Sequence, residues 1–135
     1  KVRLHGVDCP ERHQDFGAKA KQLTSELCFG KTVEVRVRNR DKYGRAVSEV
    51  ILADGRALGP ELVRAGLAWW YRHYAPKDDS LRALEDEARL AKRGLWSIPD
   101  PIPPWDFRAA RTRTEPRRDP RPEGRPPVPA APVRN

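Results

Sequence analysis

An α+β domain is the fold class that this 135-residue chain predicts. Apolar and polar residues alternate over residues 2–7, 33–38 and 46–52, the period-two pattern of half-buried strands. Over residues 15–28 and 78–93 apolar residues instead recur at spacings of three and four, as on one face of a helix. These signals follow one another unevenly, strand and helix, then a strand pair, then two helices. That order suits an α+β domain better than a doubly wound sheet.

The first strand, residues 2–7, ends at Asp8-Cys9-Pro10-Glu11, so Asp8 and Glu11 stand at a strand end and in the loop after it. Phe16, Ala20, Leu23 and Leu27 define the apolar stripe of the first helix, with Gly30 as its stop. Val33, Val35 and Val37 alternate with Glu34, Arg36 and Arg38 in a strand. Residues 39–44 turn the chain, and a return strand over 46–52 closes at Ala53-Asp54-Gly55. Pro60 opens a short helix running to Ala65, with Gly66 at its end. Asp79 or Ser80 can cap the longer helix, Leu81, Leu84, Ala88 and Ala91 face inward along it, and Lys92-Arg93-Gly94 suits its C-terminus. Leu95-Trp96 is expected to fold back over the core, and Trp69 and Trp70 to pack in the core and at its rim.

The formal net charge is +8 and the pI near 10.0, a balance that favours polyanions or an acidic membrane surface. From Arg108 onward eight arginines face three acids, which leaves only three of the eight excess positive charges to residues 1–107. The same segment is rich in proline and poor in large apolar residues. Residues 1–108 therefore read as one domain, and 109–135 as a disordered Pro/Arg-rich tail. No run of about 18 apolar residues exists, so no membrane span is predicted. Cys9 and Cys28 are too few for a disulfide framework and match no common metal spacing, although a single bridge between them is open in an oxidising compartment.

Two segments carry chemistry. One is Arg3-Leu4-His5-Gly6-Val7-Asp8-Cys9-Pro10-Glu11; the other is the turn Asp41-Lys42-Tyr43-Gly44-Arg45. Taken singly each is an ordinary turn. Together, in matching secondary structure, they resemble the two active-site segments of the staphylococcal nuclease (thermonuclease) family. The resemblance covers about residues 1–96 and takes in Ala53-Asp54-Gly55, the helix end Leu62–Ala68 and Gly94-Leu95-Trp96, while Pro103-Pro104-Trp105-Asp106-Phe107-Arg108 is similar to an extension in many bacterial members. It implies an OB-fold-type Greek-key β-barrel with three packed helices. A hairpin that would precede Lys1, and a second aspartate ligand on it, are missing from the match. The barrel is thus expected to be N-terminally incomplete, with an open edge, exposed core positions and weakened calcium affinity.

Cleaving a phosphodiester requires neutralised non-bridging oxygens, an activated water and help for the departing alkoxide. By the resemblance, Arg3 and Arg45 bind and stabilise the attacked phosphate, for which the planar arginine fork is suited. Glu11 is the implied general base. Asp8 is the implied carboxylate ligand of Ca2+, and Cys9 the position whose main-chain carbonyl meets the same ion. Lys42 and Tyr43 match positions that touch a terminal phosphate, and Tyr71 or Tyr74 could stack on a base. His5, His13 and His73 have no part in this chemistry.

The function so implied is a calcium-dependent nuclease hydrolysing DNA and RNA with little sequence preference and leaving 3′-phosphates, with this chain itself weakly active or inactive. The alternatives are a non-catalytic OB module that binds single strands, and an interaction protein whose Pro/Arg-rich tail docks on a partner domain. A monomer is expected, and relatives of this type favour a secreted or periplasmic location.

Overall fold

The computed structural model describes residues 2–114, with side chains placed as far as residue 111. Five strands and four α-helices follow in the order β1 (Val2–Leu4), β2 (Val7–Asp8), α1 (Gly17–Cys28), β3 (Glu34–Arg40), β4 (Ala46–Ile51), α2 (Leu58–Arg64), β5 (Trp69–Trp70), α3 (Asp79–Leu90) and α4 (Pro104–Thr114). A 3-10 helix, Gly94–Ser97, lies between α3 and α4.

The α+β expectation holds, and among the described residues the strands close no barrel, in keeping with the open edge expected. The strands form two open sheets among the described residues, one ordered β1-β4-β3 and the other β2-β5. β1 runs parallel to β4, β3 antiparallel to β4, and β2 antiparallel to β5. The segment expected to form one strand over 2–7 is split at His5-Gly6, so that β1 and β2 belong to different sheets. Gly6 makes the break with φ 69, and a Cβ there would press on Ala75 and Leu81 at 3.0 Å. A glycine meets both demands at no steric cost.

β4 alternates buried and half-buried residues along its length, with Ala46, Ser48 and Val50 turned inward. Every residue of β3 is exposed, including Val35 at 44% and Val37 at 55%. The helices cover the inner face of β4, and the edge strand β3 stands beyond them. The main core joins Val7, Val50, Leu52, Leu58, Leu62, Val63 and Trp70. A second cluster joins Trp69, Ala88, Leu95 and Trp96, with Trp105 packed against it. Both expectations for Trp69-Trp70 and Leu95-Trp96 are thus met.

α3 is capped one residue earlier than expected. The Asp78 side chain, rather than that of Asp79 or Ser80, accepts a hydrogen bond from the Leu81 amide at 3.0 Å. A fourth helix adds to the three expected. α4 carries regular structure to Thr114, six residues past the 108 boundary, and the remainder of the expected tail lies outside the described residues. Buried Pro104 and half-buried Trp105 hold the helix start against the domain. Cys9 and Cys28 are both free thiols, half-buried against the core, so the bridge left open is not formed.

Candidate active site

The residues singled out in the sequence fall into three groups, set by the two sheets and the β3–β4 turn.

The first group is Asp8 and Glu11. Asp8 ends β2 opposite Trp69, and Glu11 follows in the loop that leads to α1. Gln14 braces that loop from both sides. Its Oε1 accepts from the Glu11 amide at 2.9 Å, and its Nε2 donates to the Ile102 carbonyl at 2.8 Å. The two carboxylates converge on one guanidinium, that of Arg108 on α4. Nη2 donates to Asp8 Oδ2 at 2.9 Å and Nη1 to Glu11 Oε2 at 2.6 Å. Half-burial opposes the charge on Arg108, but Asp8 and then Glu11 more than compensate and raise its pKa above the ordinary arginine value. Asp8 is the more enclosed acid, its side chain 12% exposed against 32% for Glu11.

The second group is Arg3 with two tyrosines. The Tyr71 amide donates to the Gly6 carbonyl at 2.8 Å, which brings the segment after β5 alongside β1. The Arg3 guanidinium lies over the rings of Tyr74 and Tyr71, at 4.8 and 5.4 Å from their centroids. The two rings meet edge-on at 4.8 Å. Trp105 stacks on Tyr71 with centroids 5.0 Å apart and planes 15° apart, so one face of Tyr71 is already covered. Tyr74 is 53% exposed.

Arg45 lies in the third group, with Lys42 and Tyr43. Asp41 organises this turn. Its Oδ1 accepts from the amides of Tyr43 and Arg45, both at 2.9 Å, and its Oδ2 from Arg45 Nε at 2.7 Å. Burial alone would raise the Asp41 pKa, but the amide bonds from Arg45 and Tyr43, with the Arg45 guanidinium, hold it below the usual carboxylate range. Gly44 closes the loop with φ 82, as a three-residue hairpin connection requires. The Arg45 guanidinium also lies 5.4 Å from the centre of the Tyr43 ring, and Lys42 Nζ 5.3 Å from it. Arg45 is therefore held by its own turn. Its link to Arg3 is through register: Arg3 pairs with Val47, and alternation along the chain puts Arg45 on the same face of the sheet as Val47.

As to a cation, Asp8 and Glu11 already share one positively charged partner, which is the arrangement a hard ion would use. Burial, and then the charge of Asp8, push the Cys9 thiol up to about 12, so its sulfur stays protonated and uncharged at neutral pH. Any part Cys9 plays falls to its main-chain carbonyl. Among the described residues no three His, Cys, Asp or Glu side chains gather as a ready-made cage. The two carboxylates thus fit a divalent ion that takes most of its remaining oxygens from main chain, water and substrate phosphate.

Reasoning from sequence missed Arg108, Trp105, Gln14 and Asp41 as members or supports of the site. In the sequence Arg108 stands at the end of the Pro103-Pro104-Trp105-Asp106-Phe107-Arg108 segment, at the border of the Pro/Arg-rich stretch. A signal was present in the proline- and tryptophan-bearing segment just before it, which has the apolar content to dock.

Comparison with known proteins gives the following matches. The family model described as "Staphylococcal nuclease homologue" matches residues 1–98. The chain is 44% identical over 108 residues to an "Uncharacterized endonuclease" of Escherichia coli O157:H7, covering 80% of this chain and 70% of that protein. It is 37% identical over 120 residues to the "Micrococcal nuclease" of Shigella flexneri, covering 82% and 68%. It is also 35% identical over 108 residues to the "Staphylococcal-like nuclease CAN1" of Arabidopsis thaliana, covering 80% of this chain and 33% of that one.

Proposed function

The chain belongs to the staphylococcal nuclease family, and from that premise we propose that it is a calcium-dependent nuclease, cutting DNA and RNA with little base preference and leaving 3′-phosphates. Relatives named endonuclease and micrococcal nuclease support hydrolysis of nucleic acid as the activity. The observation that carries the finer reading is the Asp8–Glu11 pair converging on a single cation position at the end of β2.

The division of labour in this reading is supported by how each residue is held. Glu11, the more exposed of the two acids, takes the proton of the attacking water. The water oxygen bonds to phosphorus as the bond to the 5′ oxygen breaks, and that oxygen takes a proton from solvent. Arg3, steadied over two tyrosine rings, and Arg45, steadied by Asp41, offer paired donors to the non-bridging oxygens as charge builds. Asp8, with the Cys9 carbonyl, would hold calcium, which neutralises phosphate charge. Lys42 and Tyr43 meet a terminal phosphate. Tyr74, the more open ring, receives a base, whereas Tyr71 buttresses Arg3 from beneath with Trp105 behind it.

The test is cleavage of single-stranded DNA and of RNA with calcium, with a chelator, and after Glu11→Gln. Calcium-dependent cutting that falls roughly 100-fold or more in the variant is expected, in line with the loss of a general base. Binding of the strand without cutting by the unaltered chain would replace this reading with that of a binding module.

A further inference from the structure

Arg108 belongs to none of the segments that carry the family resemblance of the active site, yet its guanidinium spans both of that site's acids. Three features give this contact weight. Its two donors reach two different carboxylates, on β2 and on the following loop. The helix that delivers it is anchored independently, by buried Pro104, by Trp105 against Tyr71 and Trp69, and by Gln14 on the Ile102 carbonyl. The guanidinium side chain itself is 42% exposed, so solvent borders it beside the two acids.

We infer that Arg108 is a positioning residue that occupies the cation site of this nuclease and competes with the divalent ion for Asp8 and Glu11. The inference rests on the calcium-dependent reading above. A calcium ion takes carboxylate oxygens at about 2.3–2.6 Å and six to eight oxygens in all. Asp8 Oδ2 and Glu11 Oε2 are 2.9 and 2.6 Å from the Arg108 nitrogens, so the guanidinium stands where an ion bridging the two carboxylates would sit, and two positive charges in that space repel. In the ion's absence Arg108 keeps two like charges side by side without repulsion. With the ion held at Asp8, the guanidinium would leave both acids and turn toward solvent, which frees Glu11 for the attacking water. The coupling is reciprocal, so whatever Arg108 takes from calcium affinity, calcium takes from the hold on Arg108.

The experiment is a calcium titration by calorimetry on the full chain, comparing the unaltered protein, Arg108→Gln, Arg108→Lys and Arg82→Gln. The last removes one positive charge from an exposed position on α3. Removing a competing pair of charge-assisted hydrogen bonds, discounted for exposure, is expected to tighten calcium about tenfold in Arg108→Gln. Arg108→Lys should tighten it less, and Arg82→Gln should barely change it. A merely structural role would loosen the two acids and weaken calcium instead. Equal or weaker binding by Arg108→Gln, or equal tightening by Arg82→Gln, overturns the competition and leaves the calcium reading standing. No calcium binding by either the unaltered chain or Arg108→Gln overturns both. A second measurement needs no variant: nuclear magnetic resonance of the guanidinium nitrogens should show hindered rotation of Arg108 that is released as calcium is added. Rotation unchanged at saturating calcium also overturns the inference.

Discussion

Replacing Trp105 with alanine isolates what α4 contributes, because this one side chain joins the helix to both the tyrosine shelf and the second core cluster. The ring stacks on Tyr71 at 5.0 Å and meets Trp69 edge-on at 5.6 Å. A fully buried tryptophan costs about 3–5 kcal/mol on truncation to alanine, and Trp105 is only half-buried, so roughly 2 kcal/mol is expected. Since 1.4 kcal/mol is a factor of ten, the undocked population of α4 should rise by about thirtyfold. Limited trypsin digestion read by mass spectrometry reports that population directly when opening is fast relative to cleavage. Cutting after Arg108 should therefore accelerate about thirtyfold. The midpoint of thermal unfolding should move only modestly, because the main core of Val7, Leu62, Val63 and Trp70 does not include this residue. An unchanged cutting rate at Arg108 would refute the claim that Trp105 holds the helix. A collapse of the whole domain in step with the faster cut would refute the claim that α4 docks as a separate layer.

Asp41→Ala should lower kcat/KM by about tenfold while the chain stays folded, because Arg45 loses the carboxylate that aims it; steady-state kinetics beside circular dichroism checks both halves. Gly66→Ala should be strongly destabilising, by roughly 3 kcal/mol or more, since Gly66 has φ 75 and a Cβ there would run into the Arg93 carbonyl oxygen; urea unfolding measures it. Asp78→Ala should cost about 1 kcal/mol by removing the α3 cap, and the same unfolding assay reads it. Burial first, and then the charge of Arg38, lower the His5 pKa below its ordinary value of 6.5, against the opposing pull of Glu49 and Asp78. The unfolded chain thus binds more protons just below pH 6.5, so stability should rise with pH through that window and level off above it. Urea midpoints at pH 5.5 and 7.5 should differ less in His5→Asn than in the unaltered chain.

Most secondary structure was legible in the sequence because its signals are local. The β3–β4 turn follows from Asp-Lys-Tyr-Gly-Arg, where an aspartate can accept from amides two and four residues on and a glycine can take positive φ. Helices α1 to α3 follow from apolar spacing and end signals, with ends within three residues of those expected, whereas α4 was not expected. Two features were not legible. The alternation over residues 2–7 cannot tell one strand from two, because Gly6 interrupts the sheet by its contacts with Ala75 and Leu81, which are distant in the chain. Nor can the alternation of β3 tell a covered face from an open one, and its valines proved exposed.

By itself the sequence determined the chemical cast of the site: two arginines, a glutamate and an aspartate in segments of recognisable type, set on strands and turns that short-range preferences dictate. Only the tertiary structure decided how those residues are held. Arg108 reaches Glu11 and Asp8 across 97 and 100 residues of chain, and Trp105 covers Tyr71 while Tyr74 stays open. Such pairings leave no periodicity and no spacing to read. They arise because helix α4 buries its proline and tryptophan against the domain, and that burial happens to set a guanidinium over two carboxylates.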